Sequence, residues 1–273
     1  MELSSHKSLA SRKLRIVLFI LVNLITSNFL VSLLPPNLFQ FAVAMWSPAI
    51  FAVLFSIFFG DPLKDTLGLS KSKWSAYFLA SLFPVLVGIL TAVIGLLLGY
   101  LTLSETWTFK PFNAIPTLII WVIAALGEEL GWRGYLHTTM KGFQHAPLYI
   151  GLVWALWHFS QIISESGITY AVAVFTPTVI LISYLLSTLR EYGKSIWPCA
   201  LYHGVWNFLR LKILFESSAN NTAGMFSTRA YQITDMEGVF GFAALVVFSI
   251  PVILYWYKNI SAPHNQPQEI PAN

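Results

Sequence analysis

The sequence predicts an all-α polytopic integral membrane protein of about eight transmembrane helices, with a polar site in the bundle interior. Three observations predict it. Of 273 residues, 56% are hydrophobic and only 10% are charged, where a soluble domain carries about 25% charged residues. Apolar runs of about 20 residues, the length that crosses a bilayer, recur along the whole chain. The polar side chains inside those runs include two adjacent glutamates, two histidines and Asn207, residues that suit chemistry more than solubility. This composition excludes a soluble enzyme, a disordered chain, a disulfide scaffold and a free-standing nucleic-acid binder. The lone cysteine, Cys199, has no intramolecular partner for a disulfide. A net charge of +4 fits basic loops facing an anionic leaflet, with membrane lipid as a partner and nucleic acid excluded.

The runs are read in order. The first span covers about Arg15 to Leu34 and ends at Pro35-Pro36. It is longer than a signal-peptide core and a second span follows at once, so a retained helix is expected. The second covers Leu38 to Phe59, the third Trp74 to Leu101, and the fourth Ile115 to Met140, with polar residues in its second half. The fifth runs from Pro147, a suitable first helical residue, to Ile163. The sixth covers Thr169 to Leu189, the seventh Ile196 to Phe215 and the eighth Gly238 to Tyr257. The expected organisation is a cytoplasmic segment 1–14, one membrane domain 15–257 with a core at about 115–215, and a polar, Pro-rich, disordered tail 258–273. No internal repeat is visible. The tail lacks a cysteine and so is not itself a prenylation site.

An even number of spans places both termini on one face. Twelve of the sixteen Lys and Arg residues then share that face, and Lys110, Arg210, Lys212 and Arg229 lie on the other. The positive-inside rule makes the crowded face cytoplasmic. The expected location is a bacterial plasma membrane with both termini in the cytoplasm.

Of the twelve acids, only Glu128 and Glu129 lie well inside a span, and Glu237 sits at the edge of the last. A buried charge costs about 3 kcal/mol on insertion scales. Glu129 and Arg133 are four residues apart and can pair on one helix face, a structural ion pair. Glu128 points about 100° away and has no such neighbour. His137 and His145 fall near a cytoplasmic helix end, and His6 and His264 in the tails. His158 and His203 each lie within a span. Trp154 sits one turn before His158, and Asn207 one turn after His203. Counted from the cytoplasmic helix ends at about 1.5 Å per residue, Glu128, His158 and His203 reach one layer near the bilayer centre. They are expected, with Asn207, to line one polar cavity open to the cytoplasmic side.

A carboxylate with imidazoles suits activation of water for attack on a carbonyl, with an imidazole N–H and an amide N–H receiving the oxyanion. The same residues also suit a Zn2+ ion held by His158, His203 and Glu128 or Glu129 with a bound water. The residues allow both. No His-Glu-x-x-His, Gly-x-Gly-Asp or Gly-x-Ser-x-Gly motif is present.

Taken together, Glu128-Glu129-x-x-x-Arg133-Gly134-x-Leu136, Trp154-x-x-x-His158 and His203-x-x-x-Asn207 resemble the CPBP intramembrane protease family. That family contains the type II CAAX prenyl endopeptidases and the bacteriocin-processing and self-immunity proteins. The second motif often begins with Phe, where this chain has Trp154. The resemblance implies a helical, membrane-embedded endopeptidase acting on a membrane-associated or lipid-modified peptide or protein. It implies that Glu128 and His158 activate water, His203 and Asn207 stabilise the oxyanion, and Glu129 and Arg133 support the site. It also implies a metalloprotease grouping, with Zn2+ as the candidate ion. Two other readings share these residues: a non-proteolytic scaffold or self-immunity protein, and a proton-coupled carrier, against which the lack of a repeat stands.

Overall fold

The computed structural model describes residues 2–30, 33–35, 37–105, 107–108, 111–216, 224–228 and 230–261, and the chain is mostly helical. His6, Lys7, Lys110, Arg229, His264 and the tail beyond Ser261 lie outside the residues whose side chains are described. Helix α1, Glu2–Ile25, ends in a π-helical turn, Thr26–Leu30. It starts well before Arg15, so the expected N-terminal segment is part of the helix. Helix α2, Leu38–Phe59, coincides with the second expected span, and the Asn37 side chain caps it by accepting from the Phe39 and Gln40 amides. Helix α3 is Trp74–Leu97 and strand β1 is Leu101–Leu103. Helix α4, Pro111–Glu129, continues through a π-helical segment, Leu130–Leu136, and a last turn, His137–Thr139.

Helix α5, Ala146–Tyr170, joins α6, Thr176–Gly193, through a π turn. Helix α7, Trp197–Phe208, passes into π-helical Leu209–Leu214. Strand β2 is Phe226–Thr228. Helix α8, Val239–Tyr255, runs on to Ile260 in a π turn, so the tail begins later than Lys258. The antiparallel β1–β2 pair departs from a purely helical expectation. Three residues per strand are too few to show a period-two pattern in the sequence.

Among the described residues, five helical stretches are long and apolar enough to cross a membrane: Leu38–Phe59, Trp74–Leu97, Phe112–Thr139, Ala146–Gly193 and Tyr231–Ile260. The fourth has 48 residues. At about 1.5 Å each it would reach roughly 72 Å, more than twice a hydrocarbon core of about 30 Å. It is interrupted at Gly167, whose φ of 83° and ψ of 161° lie where only glycine is comfortable. The break falls between the fifth and sixth expected spans. Large apolar side chains such as Phe58, Leu97 and Phe112 stand exposed around the bundle. In water they would form an aggregating surface; lipid accommodates them.

The connections define two faces. One carries the bonds of Ser195 to the Ser70 carbonyl, Ser72 to the Gly193 carbonyl and Trp256 to the Gln144 carbonyl. It also holds the exposed lysines 64, 71, 73, 141 and 194, and is called here the basic face. The opposite face carries β1 and β2 and the bond of the Tyr170 hydroxyl to the Glu237 carbonyl, and is called the strand face. Helices α2, α4, α6 and α8 run from the strand face to the basic face. Helices α1, α3, α5 and α7 run the other way.

Candidate active site

Close helix approach assembles the site. A side chain at Gly127 would meet the Met45 carbonyl at 2.5 Å, and one at Gly131 would strike Pro48, so α2 lies directly against α4. A side chain at Gly204 would lie 2.6 Å from Val122 Cα. That glycine lets α7 press on α4 and brings His203 beside Glu129. Small residues at membrane helix contacts serve this purpose. The π-helical segment begins immediately after Glu129, a placement common at functional sites.

Glu128 and Glu129 are both buried. The Arg133 Nη1 donates to Glu129 Oε1 at 3.1 Å, which is the expected ion pair. The same oxygen lies 2.9 Å from His203 Nδ1, a partnership across helices that spacing along one helix does not reveal. Glu128 does have a partner: the Trp154 indole N–H donates to its Oε2 at 2.6 Å. Trp154 also places its ring 4.2 Å from the Arg133 guanidinium carbon and 5.3 Å from the His203 ring, and its carbonyl accepts from His158 Nδ1 at 3.0 Å. One residue thus touches a member of each motif.

These bonds set the imidazole tautomers. A carbonyl beside Nδ1 of His158 requires a proton there, which leaves Nε2 with a lone pair in the neutral ring. Nδ1 of His203 faces a carboxylate and is a donor likewise. His203 presents an Nε2–H only when doubly protonated, with Glu129 behind it. Asn207 makes no side-chain hydrogen bond among the described residues.

Glu128, His158, His203 and Asn207 border one cavity of about 150 Å³, together with Trp154. They therefore share the wall of one cavity. The cavity does not open toward the basic face. Apart from Tyr202, next to His203, its remaining walls lie toward the strand face, among them Phe41, Trp121, Gln161, Glu165, Arg210 and Leu211 on the helices and Glu237 just before α8. The physical reason lies on the other side. Phe19, Trp132 and Tyr135 are fully buried and pack edge-on with Phe55 and Trp157, closing the bundle between the acids and the basic face. A larger cleft of about 750 Å³ at the basic face, lined by His137, Glu191, Lys194 and Trp256, contains none of the motif residues. His137 is buried there with its Nε2 2.9 Å from Glu191, and His145 meets the Tyr257 hydroxyl.

Sequence reasoning missed one group at the cavity wall. Arg210 pairs with Asp235 and, at 3.1 Å, with Glu237, which also receives the Trp206 indole N–H. Asp235 is fully buried, although it reads as a loop residue. The signal was present: Arg210 follows Asn207 by three and His203 by seven, the spacing of one helix face.

Among the described residues no three His, Cys, Asp or Glu side chains are placed to hold one metal ion. Glu129 Oε1 is shared by Arg133 and His203, and Glu128 Oε2 holds Trp154. The donors as arranged do not form the three-ligand set of a catalytic Zn2+ site.

Residues 110–209 match the family described as type II CAAX prenyl endopeptidase Rce1-like. A CAAX prenyl protease 2 from Methanococcus maripaludis is 30% identical over 89 residues, which cover 31% of this chain and 32% of that relative. The matched stretch thus spans about a third of the relative's length. The family match runs from the start of α4 to the end of α7 and encloses all three motifs.

Proposed function

We propose that this chain, which through residues 110–209 belongs to the type II CAAX prenyl endopeptidase Rce1-like family, is an intramembrane endopeptidase that hydrolyses a peptide bond of a membrane-associated polypeptide. The observation that carries the reading is the convergence of Glu128, His158, His203 and Asn207 on one buried cavity. Water in that cavity gives a proton to His158 Nε2 or to Glu128, and the resulting hydroxide attacks the carbonyl carbon. The oxyanion is received by the Asn207 amide and by the Nε2–H of doubly protonated His203. Glu129 sits on the far side of that ring and balances its charge. The proton held by His158 or Glu128 then passes to the leaving amine as the C–N bond breaks. Arg133 and Trp154 position the two acids. A Zn2+ ion would have to displace the bonds that Trp154, Arg133 and His203 make to the glutamates, so the steps are assigned to the side chains.

The proposed arrangement in the membrane is eight spans with both termini cytoplasmic. Gly167 divides the longest apolar helix into two spans, and α1 and α7 supply the others beside the remaining apolar stretches. Arg133, Arg190 and Arg210 are bonded inside the protein. Leaving them out, the basic face still holds ten Lys and Arg residues against three.

The test is comparative membrane proteomics of cells carrying the wild-type chain or Glu128→Gln. Accumulation of an uncut membrane polypeptide in the variant is expected. An identical proteome with folded, inserted Glu128→Gln protein would overturn the protease reading in favour of a scaffold.

A further inference from the structure

The direction in which the cavity opens assigns the side from which the substrate arrives. In α5 and α7, which start at the basic face, most cavity-lining neighbours come after the motif histidine: Gln161 and Glu165 follow His158, and Arg210 and Leu211 follow His203. In α2 and α4, which start at the strand face, they come early: Phe41 and Met45 open α2, and Trp121 precedes Glu128. In α6 the lining residues are Val179 and Ile182, in the strand-face half. All five helices thus extend the lining toward the strand face, and toward the basic face it goes no further than Trp154 and Tyr202, beside the histidines. On the other side α4 continues from the acid pair into Trp132, Arg133 and Tyr135, all fully buried and none of them lining the cavity. Exposed Gln161 and Glu165 make the mouth polar.

We propose that the site is entered from the membrane face opposite the basic loops, so that its substrate is an exported polypeptide, held at the outer surface by a membrane anchor, whose scissile bond has already crossed the membrane. This rests on the endopeptidase reading for the word substrate, but the access route does not. The basic loops fix which face is cytoplasmic, and the cavity walls fix which face the site addresses. A cytosolic tail, by contrast, would meet the aromatic layer. The cavity's volume is about 150 Å³, under the roughly 300 Å³ lower bound of ligand pockets. The substrate segment therefore enters by widening the mouth, where the α5 wall ends at the Gly167 break.

The test uses the full chain with Cys199, fully buried, replaced by Ser, and single cysteines at Gln161 and Glu165 on the mouth or at Lys194 on the basic face. Intact cells of a bacterial expression host are treated with a membrane-impermeant maleimide, before and after lysis. The mouth cysteines are expected to label as fully in intact cells as after lysis, and the Lys194→Cys protein to label only after lysis. Mouth cysteines that label only after lysis would overturn the proposal, whichever way Lys194→Cys behaves. So would mouth cysteines that stay unlabelled until the protein is denatured. None of these readouts depends on proteolysis, so a failed protease reading leaves the access result standing, and the reverse.

Discussion

Replacing Glu128 by Gln keeps the side chain's volume and an oxygen for the Trp154 indole, but removes the base. A folded, membrane-inserted protein with at least a ~100-fold loss of cleavage is expected, the lower range for losing general-base catalysis; the precursor's cleavage rate in membranes checks it. Trp154→Phe keeps a ring over Arg133 and the carbonyl that orients His158, yet deletes the one N–H that holds Glu128. A charge-assisted hydrogen bond contributes about 1.5–3 kcal/mol, so cleavage should fall about tenfold or more while the melting temperature in detergent changes little. Arg133→Ala is different in kind. It removes the cation from a fully buried acid and should cost about 3–5 kcal/mol, read as lost thermal stability and lower abundance along with lost activity. A stable but inactive Arg133→Ala would place that guanidinium in the chemistry itself. The Glu129–Arg133 pair was legible because both residues share one helix and one face. The bonds from Glu129 to His203 and from Glu128 to Trp154 were not, because residue spacing reports neighbours within a helix and is silent about which helix packs across from it.

At the scale of the element, the decisive features are small residues and interrupted helices. Gly204 lets α7 approach α4 until a methyl group would lie 2.6 Å from Val122 Cα. Gly204→Ala should therefore push the helices apart, cost about 1–3 kcal/mol as overpacking does, and reduce cleavage by separating His203 from Glu129. Thermal unfolding with a cleavage assay checks both halves; unchanged cleavage would mean that the helix contact does not set the His203 position. Hydropathy marked the five long apolar stretches, to the residue in α2, because lipid exposure demands unbroken apolar length. Turns of π-helix and the three-residue strands escaped notice because neither leaves a periodic trace. Asp235 escaped for a related reason: it precedes α8 in sequence yet is folded back against Arg210, and only the assembled bundle shows it buried.

For the molecule as a whole, the charge asymmetry between faces predicts orientation. Reporter fusions after Trp107 and after Ser218 should both read external, and a cytoplasmic reading at either would break the eight-span arrangement. The placement of the cavity adds an electrical consequence. Water in the strand-face half would carry the potential of its own side inward as far as Glu128. The voltage across the membrane then falls mainly over the remaining thickness, where Phe19, Trp132, Tyr135 and Trp157 are packed. A charge crossing the full potential changes energy by about 2.3 kcal/mol per 100 mV, but a proton exchanged between cavity water and His158 or Glu128 crosses little of it. The proton transfers of the proposed hydrolysis would thus be shielded from the cell's energisation, with the packed rings as the insulator beneath the cavity.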